Sequence, residues 1–84
     1  MPYAVVIPRK VQKEIKRIDK RYRKKILAAL VILGDDPFVG KQLEGDCKNQ
    51  WSLRVWPYRI IYEIEKKKLI VLIIRIGHRQ GVYN

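Results

Sequence analysis

Trp51-Ser52-Leu53-Arg54-Val55-Trp56-Pro57-Tyr58-Arg59-Ile60-Ile61-Tyr62 opens a stretch that continues through an apolar run at residues 69–76 and closes on Gly77-His78-Arg79-Gln80-Gly81-Val82-Tyr83. Residues 51–55 alternate: Trp51, Leu53 and Val55 share one side, Ser52 and Arg54 the other. After Pro57 the alternation resumes, with Tyr58, Ile60, Tyr62 and Ile64 on one side and Arg59, Ile61 and Glu63 opposite. Glu65-Lys66-Lys67-Lys68 reads as a turn, and residues 69–76 are apolar on both sides, as in a central strand covered on both faces. Three strands joined by short turns follow. Arg54, Arg59, Arg75 and Arg79 lie inside these strands or at their ends. A guanidinium on a small sheet is costly unless it faces water or a ligand, so an anion-binding face is expected.

The N-terminal half supplies the support. Tyr3-Ala4-Val5-Val6-Ile7, stopped by Pro8, reads as a first strand with Tyr3, Val5 and Ile7 on one face. From Arg9 the period changes. Val11, Ile15, Ile18 and Tyr22 form one helical stripe that Ile26, Ala29, Leu30 and Leu33 continue. Asp19-Lys20-Arg21 reads as a break that makes a helical hairpin, with one long helix as the competing reading because no Gly or Pro intervenes. Gly34 is expected to cap the second helix in the left-handed conformation, and Pro37 to prevent its resumption. Residues 38–50 read as a loop anchored by Phe38 and Leu43, with a turn at Gly45-Asp46.

Composition narrows the function. The 84 residues, 48% hydrophobic and 32% charged, suit one folded domain spanning residues 1–84 with a modest core. The formal charge of +11 points to a polyanionic partner. Lys13, Lys16, Arg17, Lys20, Arg23 and Lys24 lie in a positive helical belt, opposed by Glu14 and Asp19, that suits phosphate backbones. Taken singly, each of these charges is equally at home on a solvated face. Cys47 is alone, and one Cys with one His cannot build a four-ligand zinc site. No metal or cofactor is expected. No apolar run is long enough to span a bilayer, and no signal-peptide core is present, so no membrane partner and a cytoplasmic location are expected.

Most catalytic equipment is missing. There is no glycine-rich phosphate loop, and Ser52 is the only serine. Arg54, Arg59, His78, Arg79 and Tyr83 remain. They suit RNA cleavage, in which the 2′-hydroxyl attacks the adjacent phosphate without a metal or a protein nucleophile. The protein must then position the nucleotide, neutralise phosphorane charge and move two protons. Arginine serves the second task through its bidentate fork but is a poor base. Each residue has a plainer reading as well. Arg59 can pair with Glu63, His78 can be structural, and Trp51 and Trp56 read as packing. If alternation persists, His78 points away from Arg79.

The order of these segments resembles the RelE/ParE superfamily of toxin–antitoxin toxins, closest to its RelE branch. The resemblance covers nearly the whole chain. It rests on the short strand, the basic hairpin, Asp36-Pro37, Lys41-Gln42-Leu43-Glu44-Gly45, Leu53-Arg54-Val55, Tyr58-Arg59-Ile60-Ile61-Tyr62 and the ending Ile76-Gly77-His78-Arg79-Gln80-Gly81-Val82-Tyr83. It implies an α+β fold: N-terminal strand, basic helical hairpin, then a three-stranded antiparallel meander with the helices packed on one face. In the RelE branch it implies a ribosome-dependent mRNA endoribonuclease, and a RelB-like antitoxin that wraps the toxin in a hetero-oligomer. It places the family's strand arginine on Arg59, its C-terminal arginine on Arg79 and its catalytic tyrosine on Tyr83. Of two strand lysines, one position holds Arg54 and the other Ser52, and Trp56-Pro57 replaces the usual Gly before Tyr-Arg. Two rivals stand beside this reading. One is a ParE-like gyrase inhibitor of the same fold, and the other a non-toxic basic nucleic-acid-binding module.

Overall fold

The computed structural model describes residues 2–45 and 49–78. Strand β1 (Ala4–Val6) leads into helices α1 (Arg9–Lys16) and α2 (Lys20–Asp35). A 3-10 turn (Pro37–Val39) and the short strand β2 (Lys41–Gln42) precede the meander β3 (Gln50–Val55), β4 (Tyr58–Glu65) and β5 (Ile70–His78). The sheet order is β1-β5-β4-β3-β2. The meander is antiparallel, as expected, while β1 pairs parallel to β5 through Ala4–Ile70, Val5–Val71 and Val6–Leu72. A parallel pair needs a long crossover, which the helices and meander provide. Among the described helices none is long and apolar enough to cross a membrane.

The hairpin reading holds, and the stripe explains it. Val11, Ile15, Ile18, Ile26, Ala29, Leu30 and Leu33 are all buried against Ile60, Tyr62, Val71, Ile73 and Ile76 of the sheet. The break falls where Asp19 caps α2, its carboxylate accepting from the Arg21 amide at 2.9 Å. This bond, backed by the Arg21 side chain, holds the Asp19 carboxyl below its ordinary range. Arg23 closes the other side of the junction. It is half-buried and donates to the carbonyls of Ile18 (3.1 Å) and Lys16 (3.4 Å) at the end of α1.

Four expectations need correction. Helix α2 runs through Gly34 to Asp35 and ends at Asp36 in an extended conformation, so Gly34 is no left-handed cap. Its carbonyl accepts from the Tyr3 amide at 3.1 Å instead, which ties the helix end to β1. The segment expected as a loop contains the 3-10 turn and β2; two residues are too few for alternation to register. Leu69 belongs to the turn before β5, with φ 55°. Finally, β5 is central but not covered on both sides. Val71, Ile73 and Ile76 are buried beneath the helices, whereas Ile70, Leu72 and Ile74 on the rest of the strand are half-buried.

Tyr62 fixes the 3-10 turn to the sheet. Its ring is fully buried, and its hydroxyl donates to the Pro37 carbonyl at 2.7 Å. Burial pushes the phenol up to about 12, although the Gly40 amide also bonds to it. A Cβ on Gly40 would collide with that hydroxyl and lie 2.7 Å from the Ser52 carbonyl, so only glycine fits. This packing sets where β2 begins.

A candidate phosphate-binding face

Strand register decides which charges meet. In β3 and β4, Arg54 lies directly opposite Arg59, and Ser52 opposite Ile61. In β4 and β5, Arg59 lies opposite Gly77, and Ile61 opposite Arg75. All of these point to the sheet face away from the helices, because their neighbours Leu53, Ile60 and Ile76 pack into the core. Strand β2 adds Lys41, opposite Ser52 and therefore on the same face.

The result is a shallow concavity of about 310 Å³ lined by Val39, Gly40, Lys41, Ser52, Leu53, Arg54 and Arg59. Ser52 forms its floor, 4% exposed, and its Oγ accepts from Arg59 Nη1 at 3.3 Å. That bond orients the Arg59 guanidinium. Directly opposed cross-strand residues have Cβ atoms about 4.5–5.5 Å apart, and like charges there repel. An anion seated between Arg54 and Arg59 relieves that repulsion, and a phosphate oxygen pair matches two guanidinium forks.

The sequence-expected residues divide. Arg54 and Arg59 come together. His78 does not join them: it pairs with Tyr58, and the two rings meet edge to face at 5.7 Å on the helix side of the sheet. The register sets His78 on the side opposite Arg54 and Arg59, and its expected direction away from Arg79 involves a residue outside the described ones. Arg79 and Tyr83 lie outside the described residues, as does Cys47. Trp51 packs against Phe38 with centroids 5.5 Å apart, whereas Trp56, read as packing, is 56% exposed at the β3–β4 turn. The Trp56–Pro57 peptide there is cis.

Sequence reasoning missed Lys41. It sits in a segment without period, and only pairing with β3 assigns it a face. Arg75 was visible as a strand arginine, but its place beside Ile61 comes from the register.

The helical belt is largely exposed. Lys13, Lys16, Arg17, Lys20 and Lys24 all face solvent. One expected member, Arg23, and one expected opposing charge, Glu14, are engaged elsewhere. Arg23 is held at the helix junction. Glu14 does not oppose the belt but turns to the sheet, where its carboxylate accepts from the Ile76 amide at 3.2 Å. That amide lies close to a register irregularity in the β4–β5 ladder, where such a group needs another acceptor.

This architecture is shared with known proteins. A solved toxin–antitoxin complex, RelBE2 from Mycobacterium tuberculosis, contains a chain that superposes with TM-score 0.85 at 26% identity, over 94% of this chain and 100% of that one. An archaeal RelE–RelB complex from Pyrococcus horikoshii OT3 gives TM-score 0.79 at 24% identity, over 98% and 100%, a likeness of fold. In sequence, the toxin RelG of Mycobacterium tuberculosis is 33% identical over 89 residues, covering 99% of this chain and 98% of that protein. The family model described as the ParE toxin of type II toxin–antitoxin system, parDE, matches residues 5–83. With nearly every residue inside that match and the fold shared as well, the chain belongs to the RelE/ParE superfamily of type II toxin–antitoxin toxins.

Proposed function

We propose that the protein is a ribosome-dependent mRNA endoribonuclease that arrests translation by metal-independent attack of a 2′-hydroxyl on the adjacent phosphate. The observation that carries this reading is the convergence of Lys41, Arg54 and Arg59 on one concavity of the open sheet face. Arg59, oriented by Ser52, and Arg54 stabilise the charge that develops on the phosphorane. Arg79 shares that task, and Tyr83 stacks on or orients the nucleotide. The belt of Lys13, Lys16, Arg17, Lys20 and Lys24 binds ribosomal RNA through its phosphates. His78, on the helix side, plays no part in the chemistry. The likeness to chains solved within RelB-bound complexes supports a cognate acidic antitoxin as the resting partner. The site of action is the cytoplasm, where ribosomes translate.

Primer extension on translated mRNA after addition of the purified protein tests this reading. Cuts that require both ribosome and protein are expected. Intact mRNA beside inhibited DNA gyrase would replace it with the second reading, a ParE-like gyrase inhibitor, which the family-model match favours.

A further inference from the structure

Breaking the phosphate–5′-oxygen bond of RNA leaves an alkoxide unless a proton arrives as the bond breaks. Among the described residues lining the concavity, few can deliver one. Arg54 and Arg59 are not donors of this kind, since the delocalised guanidinium does not give up its proton. Ser52 is buried at the floor, under the Arg59 guanidinium. His78 and Tyr58 lie on the opposite side of the sheet. Lys41 alone of this group combines an exposed position with an ammonium that can give up a proton.

Its placement is specific. Lys41 stands directly opposite Ser52, one row from the Arg54–Arg59 pair. Diagonal neighbours of this kind are about 7–8 Å apart, within reach of long side chains. A phosphate held by the two guanidinium groups therefore lies beside the Lys41 ammonium. The backbone beneath is fixed as well: Gly40 is packed against the Tyr62 hydroxyl and the Ser52 carbonyl, so Lys41 leaves from an anchored point.

We infer that Lys41 is the general acid that protonates the departing 5′-oxygen. This rests on the ribonuclease reading above. The 2′-oxygen bonds to phosphorus and its proton passes to water. The phosphorus–5′-oxygen bond breaks, and its electron pair takes a proton from the Lys41 ammonium. The products are a 2′,3′-cyclic phosphate and a 5′-hydroxyl, and the neutral amine regains a proton from water. Tyr83 then serves the nucleotide's position, not the leaving group.

The test uses the full-length protein on ribosomes programmed with two mRNAs. One is ordinary; the other carries sulfur in place of the bridging 5′-oxygen at the linkage that the wild-type protein cuts. A thiolate leaves without being protonated. Lys41→Ala is expected to slow cleavage of the ordinary mRNA by about 100-fold or more, while the sulfur-substituted mRNA is cut close to the wild-type rate. Lys41→Arg keeps the charge without the labile proton, and should be nearly as slow as Lys41→Ala on ordinary mRNA. Equal slowing on both mRNAs, or a fully active Lys41→Ala or Lys41→Arg, overturns the assignment. A wild-type protein that leaves both mRNAs whole overturns the ribonuclease reading, and this assignment with it.

Discussion

At the scale of single residues, the strand register sets Arg54 directly across from Arg59. Two like charges facing each other weaken a sheet, so a purely structural role for both is unfavourable. Replacing either with alanine should lower ribosome-dependent cleavage by about 10²–10³-fold, measured as single-turnover rates. Arg59→Lys should recover little, because lysine lacks the planar fork that Ser52 orients. Thermal melting of the Arg54→Ala variant should match or exceed the wild type, since the repulsion is gone, whereas Arg59→Ala also strips the buried Ser52 hydroxyl of its donor and should melt lower. Tyr62 makes a different kind of prediction. Its phenol rises from 10.0 to about 12 on folding, so the neutral form is the folded form. The corresponding stability is fully present below pH 10 and is lost as pH climbs through the folded value. Tyr62→Phe removes this dependence and orphans the Pro37 carbonyl, costing about 1–3 kcal/mol near neutral pH. Urea titrations of the two proteins should therefore converge between pH 10 and 12.

At the scale of elements, the helix junction is where a continuous stripe is folded back on itself. Nothing in residues 17–20 forbids a helix as Gly or Pro would. The break comes from competition: the Asp19 carboxylate takes the Arg21 amide, and the Arg23 guanidinium takes the carbonyls that end α1. A carboxyl lowered in the folded state stabilises the fold above its ordinary range, and that contribution disappears as pH falls through the lowered value. Asp19→Ala should therefore melt at a lower temperature than the wild type at pH 7, with the gap closing in acid. Asp19 is exposed, so salt should shrink the gap as well. Arg23→Met should cost about 1–3 kcal/mol in urea unfolding, because charged hydrogen bonds at the α1 carbonyls are lost. Ribosome affinity of the folded variant should change less than it does for a belt lysine.

At the scale of the whole molecule, positive charge lies on two faces. The helices bury one side of the sheet and present Lys13, Lys16, Arg17, Lys20 and Lys24 to solvent, while the other side holds the arginine pair. Binding to ribosomal RNA through the belt should weaken steeply with salt. Reversing Lys13, Lys16 and Lys20 to Glu should flatten the slope of log K against log salt by about 2–3. Binding that is indifferent to salt would remove the belt from the mechanism. An acidic antitoxin must compete with the same charges, so co-expression should yield a complex that dissociates at high salt more readily than its apolar contacts alone would allow.

Periodicity determined the helical stripe, the three long strands and the split of each strand into two sides, because burial imposes periods of 3.6 and 2 on any chain long enough to show them. Arg54 and Arg59 were therefore legible as residues that avoid the core. Tertiary structure decided what periodicity cannot carry. Strand register put Arg54 across from Arg59 and set His78 on the far side of the sheet. Pairing of a two-residue strand, positioned by the buried Tyr62 hydroxyl, brought Lys41 over Ser52. Two residues cannot display a pattern, and a packed glycine at residue 40 reads in sequence like any turn glycine. The belt's membership was also settled in three dimensions, where hydrogen bonds draw Arg23 into the helix junction and Glu14 toward β5. Composition alone gave the charge of the molecule; only the fold says which of those charges share a face.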